Sequence, residues 1–140
     1  MAAEEVTGEP SRGRAGECVL VVEDDADVRG YVVETLTTLG YEVLEAADAE
    51  DALRMLRQHQ TVQLLLTDVV MPGMNGRKLA EEAKQLQASL KVLYMTGYSR
   101  NAIVHQGRLD PGVDLIQKPL TNEQLAAAVR KVLDAVSVNT

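Results

Sequence analysis

The chain has 140 residues, 46% of them apolar, which suits one domain with a real core. A net charge of −7 without a basic stripe excludes a nucleic-acid-binding surface, which needs cations to neutralise phosphates. The single cysteine, Cys18, excludes an internal disulfide; no apolar run nears the ~20 residues of a membrane span and the first residues are too polar for a secretory signal, so a cytoplasmic location without membrane contact is expected.

Residues 1–16, rich in small and polar groups, read as a flexible lead or linker, 17–136 as the folded domain and 137–140 as a frayed tail. Cys18–Val22 is a continuous apolar run, expected for a strand buried on both faces. Val28, Tyr31, Val32, Leu36 and Leu39 follow at helical spacing, with Asp25 as cap and Gly40 as stop. Tyr41–Ala46 is strand-like, and Asp48 opens a second helix with Ala49, Ala52, Leu53 and Leu56 inward. Val62–Thr67 is the third strand, Pro72-Gly73 a turn, and Leu79, Ala83 and Leu86 stripe a third helix. Lys91–Met95 is the fourth strand, Ser99–Gln106 a short fourth helix and Val113–Gln117 the fifth strand. Thr121-Asn122-Glu123-Gln124 is a capping box opening a last helix with Leu125, Val129, Val132 and Leu133 inward. This alternation predicts an α/β fold: a doubly wound five-stranded parallel sheet, flavodoxin-like, with order 2-1-3-4-5 and helices on both faces.

In such sheets ligands bind at the carboxyl ends of the strands, where strand order reverses. Here that is between strands one and three, where Glu23, Asp24 and Asp68 converge. Carboxylates so crowded repel unless a cation sits among them. Hard oxygen donors with no nearby His or Cys favour Mg²⁺, Mn²⁺ or Ca²⁺. A carboxylate beside a divalent cation can attack phosphorus, because the cation offsets its repulsion from the phosphoryl group. Asp68, ending its strand, is the candidate nucleophile, and the turn Val69–Gly73 can bring a backbone carbonyl to the metal. Lys118 ends strand five and can pair with Asp68 and with phosphoryl oxygens. Thr96 ends strand four, where its hydroxyl can donate to a phosphoryl oxygen, and Gly97 leaves room for the incoming group.

Four segments carry a family resemblance: Val21-Val22-Glu23-Asp24-Asp25, Thr67-Asp68-Val69-Val70-Met71-Pro72-Gly73-Met74-Asn75-Gly76, Met95-Thr96-Gly97-Tyr98 and Gln117-Lys118-Pro119-Leu120. From about Glu17 to Val136 the chain resembles the receiver domain of bacterial two-component signalling, the response-regulator family. The resemblance implies that Asp68 accepts a phosphoryl group from a phosphohistidine on a histidine kinase or histidine phosphotransfer domain. It implies Asp24 as a direct ligand of Mg²⁺, Glu23 as a ligand through water and the Val70 carbonyl as a third protein ligand. Thr96 and Lys118 take the roles of switch hydroxyl and phosphoryl-binding lysine, and the Lys118–Pro119 bond is expected cis. A downstream protein would read the face of the fourth helix, fifth strand and last helix. The segment from Leu93 to Val113 resembles receivers fused behind sensor histidine kinases, so both a hybrid-kinase receiver and a stand-alone regulator remain open. One departure stands out: family members usually carry an aromatic where this chain has Leu115.

The rival readings fit less well. Asp25-Ala26-Asp27-Val28 offers the D-x-D of haloacid-dehalogenase-type phosphatases, but Arg29 stands where that family wants Thr or Val. No glycine-rich phosphate loop follows strand one, as a nucleotide or flavin carrier would want. The full set of acids, Thr and Lys argues against a degenerate receiver used only for docking. His59 and His105 stand alone and read as surface residues.

Overall fold

Five short apolar runs become strands because each can bury both of its faces. The computed structural model describes residue 13 and residues 16–69, 73–96, 115–117 and 121–135. In chain order these form β1 (Cys18–Val22), α1 (Ala26–Thr38), β2 (Glu42–Ala46), α2 (Ala49–Gln58), β3 (Val62–Asp68), α3 (Gly76–Leu86), β4 (Lys91–Thr96), β5 (Leu115–Gln117) and α4 (Asn122–Asp134). All strand pairs are parallel, in the order β2-β1-β3-β4-β5, as expected. The predicted 99–106 helix lies outside the described residues.

Side-chain alternation splits each strand between two cores. Leu20, Val22 and Leu65 join Ala52, Leu53, Leu56, Leu79 and Ala83 of α2 and α3 on one face. Val19, Val21, Leu64 and Leu66 join Val32, Leu36, Leu125 and Val129 of α1 and α4 on the other. Every residue of β1 is buried, which is why its sequence is continuously apolar rather than alternating.

Helices α1, α2 and α4 start where side-chain caps were expected. Asp25 Oδ1 accepts from the amides of Asp27 and Val28 at 2.9 and 3.1 Å, and Asp48 Oδ1 accepts from Asp51 at 2.8 Å. Thr121 and Gln124 form the reciprocal capping box of α4. Gly40 follows α1 with φ of 100°, a conformation open mainly to glycine.

Two residues depart from the expected stripes. Tyr31 is 39% exposed, because its hydroxyl reaches sideways to donate to Asn122 Oδ1 at 2.6 Å. Leu86, 42% exposed, is the last residue of α3 and extends past the core that holds Leu79 and Ala83. Strand limits also shift. β3 runs on to Asp68 and β4 to Thr96, while Tyr41, expected in the second strand, lies buried just before β2.

At the amino ends of the strands the Gly13 amide donates to the Leu39 carbonyl at 2.8 Å. Beside it, Arg130 of α4 grips Glu17 through two nitrogens, at 2.8 and 2.7 Å, and also holds Asp134. On β4, Lys91 Nζ donates to the Leu133 and Ala135 carbonyls at the carboxyl end of α4. Cys18 is buried at this end of β1, where burial, with Glu42 adding to it, pushes its thiol pKa up.

Candidate functional site

β1 and β3 are hydrogen-bonded neighbours in parallel, so their carboxyl ends share one rim. β3 ends in Asp68, and β1 is followed directly by Glu23 and Asp24. The structure brings these three acids together: one carboxylate oxygen from each lies within 4.8 Å of the other two. Glu23 is 1% exposed and Asp68 8%, whereas Asp24 is exposed. Two of the acids are buried and the third, Asp24, reaches solvent.

Backbone bonds hold Glu23 on both sides. Its amide donates to the Ala46 carbonyl at 3.2 Å, one step beyond the β1–β2 ladder. Its carbonyl accepts from Arg29 Nη1 at 2.7 Å. Its carboxylate Oε2 accepts from the Asp25 amide at 3.0 Å.

Asp68 is set by the next two elements. The Val69 amide donates to Met95 in β4 at 3.0 Å, and the Gly76 amide donates to the Val69 carbonyl at 2.8 Å. The Thr67 hydroxyl donates to the Asp68 carbonyl at 3.0 Å. Helix α3 begins directly against this backbone: a Cβ on Gly76 would lie 2.1 Å from the Asp68 carbonyl oxygen. Nothing larger than glycine fits there without moving Asp68.

Thr96, 1% exposed, ends β4 and pairs in register with Gln117 of β5. Asp68 pairs with Met95, so Thr96 lies one position further along the same rim. Val70, Lys118, Pro119 and Tyr98 lie outside the described residues.

Three hard oxygen donors suit a small divalent cation. Oxygens on one octahedral Mg²⁺, each ~2.1 Å from the metal, lie about 3–4 Å apart. The 4.8 Å spread is close to that sphere, and water can fill the other positions. The phosphatase-type pair finds no such arrangement: Asp25 is engaged as the α1 cap and Asp27 lies inside α1, exposed. His59 is exposed at the end of α2, and His105 lies outside the described residues.

Sequence reasoning named the acids but missed two supports. Arg29 stood out only as a mismatch to the phosphatase pattern, and its hold on Glu23 depends on a side-chain reach that spacing does not reveal. Gly76 sat in the quoted turn motif, but its contact with Asp68 is visible only in space.

Comparison with known proteins points one way. Residues 19–130 match the family model described as the response regulator receiver domain. The response regulator receiver protein CpdR of Brucella abortus is 32% identical over 117 residues, covering 84% of this chain and 97% of that protein. The sensor kinase CckA of the same organism is 32% identical over 136 residues, covering 96% of this chain but 14% of that one. A crystal structure of the receiver domain from the hybrid histidine kinase CckA is 35% identical and superposes with a TM-score of 0.71, covering 84% of this chain and 99% of that one. Against several other curated relatives, the chain spans about half of their length.

Proposed function

The chain belongs to the response regulator receiver domain family, and from that premise we propose that it accepts a phosphoryl group on Asp68 from a histidine kinase or histidine phosphotransfer domain. The observation that carries this reading is the convergence of the Glu23, Asp24 and Asp68 carboxylates within 4.8 Å at the sheet rim. In the proposed reaction an Asp68 carboxylate oxygen attacks the phosphorus of a phosphohistidine in line with the leaving nitrogen. A P–O bond forms, the P–N bond breaks, and its electron pair returns to the imidazole, which takes a proton from solvent.

Asp24, Asp68 and the Val70 carbonyl would hold Mg²⁺, with Glu23 acting through water; Mn²⁺ suits the same donors. Bound there, the cation offsets the repulsion between the carboxylates and the incoming phosphoryl oxygens. Thr96 and Lys118 then hold the acyl phosphate through a hydroxyl and an ammonium. Thr96 pairs with β5 in register, so its inward shift would bias β5, α4 and the 99–106 segment between two arrangements. A downstream protein reads that face, whether in a hybrid kinase or as the target of a stand-alone regulator. Leu115, where receivers usually carry an aromatic, is partly buried against the α2–α3 core, so this position offers no aromatic ring for a gated switch.

Incubation with acetyl phosphate or phosphoramidate and Mg²⁺, followed by intact mass spectrometry, tests the proposal. The wild-type chain is expected to gain one phosphoryl group, and neither Asp68→Asn nor a chelator-treated sample should do so. Labelling of Asp68→Asn at the wild-type rate would overturn the assignment.

A further inference from the structure

Asp24 is exposed and so is not held by packing. Its position depends on the two peptide planes that adjoin it, and both are pinned. The plane after Asp24 is fixed where the Asp25 amide donates to Glu23 Oε2 at 3.0 Å. The plane before it is fixed where the Glu23 carbonyl accepts from Arg29 Nη1 at 2.7 Å. Arg29 is well placed to act as this clamp. Its own amide bonds to the Asp25 carbonyl at 2.9 Å in the first turn of α1, and Asp25 caps that same turn. Its Nε is held by Glu45 of β2 at 3.1 Å, so the guanidinium is oriented from two sides. The loop 23–25 is thus tied at both ends to α1 through one side chain and one cap.

We infer that Arg29 is a positioning residue for divalent-cation binding at the acidic rim, acting through the Glu23 carbonyl to fix Asp24. This inference deepens the metal-binding part of the proposed function and rests on it. The sign of the effect separates positioning from plain electrostatics. A guanidinium beside an acidic site repels a cation, so as a mere charge its removal would tighten Mg²⁺ binding. As a clamp, its removal leaves Asp24 mobile and weakens binding, as losing a group that orients a metal ligand does.

The test is a Mg²⁺ titration of the whole chain, followed by backbone amide chemical shifts in the wild type and in Arg29→Lys, Arg29→Gln, Glu45→Gln and Asp24→Asn. Thermal unfolding in chelator reports separately on stability. Arg29→Gln is expected to bind Mg²⁺ on the order of tenfold more weakly despite the lost positive charge. Arg29→Lys, with charge kept and the fork lost, should also weaken binding. Glu45→Gln should stay within about threefold of wild type, because the amide oxygen can still accept from Arg29 Nε and the lost charge of an exposed pair contributes little. Wild-type or tighter affinity in Arg29→Gln, or, if that variant does not fold, wild-type affinity in Arg29→Lys, overturns the inference while leaving the metal reading intact. Wild-type affinity in Asp24→Asn would instead sink the metal reading, and the inference with it.

Discussion

At Gly76 a single methyl group decides whether Asp68 can keep its place. A Cβ there would meet the Asp68 carbonyl oxygen at 2.1 Å and Cα of Val69 at 3.1 Å, both backbone atoms that cannot swing aside. Gly76→Ala is therefore expected to cost about 1–3 kcal/mol, the range for overpacking, and to slow phosphorylation of Asp68. Urea unfolding and the acetyl phosphate assay check the two effects, and an Ala variant matching wild type in both would refute the steric account. Glu23, Asp24 and Asp68 were legible because parallel strands carry the residues that end them to a common rim. Gly76 and Arg29 were not, since a steric fit and a side-chain reach across the fold leave no trace in spacing. Tyr31 was misplaced for a related reason. Helical spacing set it on the inward stripe, while its partner, Asn122, is 91 residues away.

Helix α1 carries a weak point of its own making. Gly30 sits in its interior, exposed, and a Cβ there would touch nothing within 4 Å. Glycine at such a position costs backbone entropy without relieving a clash. Gly30→Ala is expected to stabilise the chain by about 0.5–1 kcal/mol in urea unfolding, and a destabilised variant would show that this face of α1 is more crowded than it stands. The element boundaries read from sequence erred mostly where hydrogen bonding outruns apolar pattern. Asp68 and Thr96 continue their strands although they are polar, because the neighbouring strand still offers a ladder partner. The caps at Asp25, Asp48 and Thr121 were legible because each depends on a side chain only two or three residues from the amide that donates to it.

For the molecule as a whole, a net charge of −7 and three gathered carboxylates are expected to make the folded state sensitive to divalent cations. A cation bound only by the native fold stabilises it, by about 1.4 kcal/mol at tenfold over its dissociation constant. Mg²⁺ is expected to raise the melting temperature of the wild type, chelator to reverse the rise, and Asp24→Asn to lose most of it. An unchanged melting temperature at saturating Mg²⁺ would contradict cation binding at the rim. The overall architecture was legible because five buried runs separated by amphipathic segments leave few other topologies. The ties that join distant parts, such as Arg130 to Glu17 across 113 positions, were not.

Those ties give the molecule a front and a back. Gly13, Glu17 and Arg130 meet at the amino ends of the strands, and Lys91 pins the outgoing end of α4 to the same side. The carboxylates face the opposite way. Chain continuing from Gly13 or Ala135, the outermost described residues, therefore leaves from the side away from the three acids, much as a plug-in cartridge keeps its leads away from its contacts.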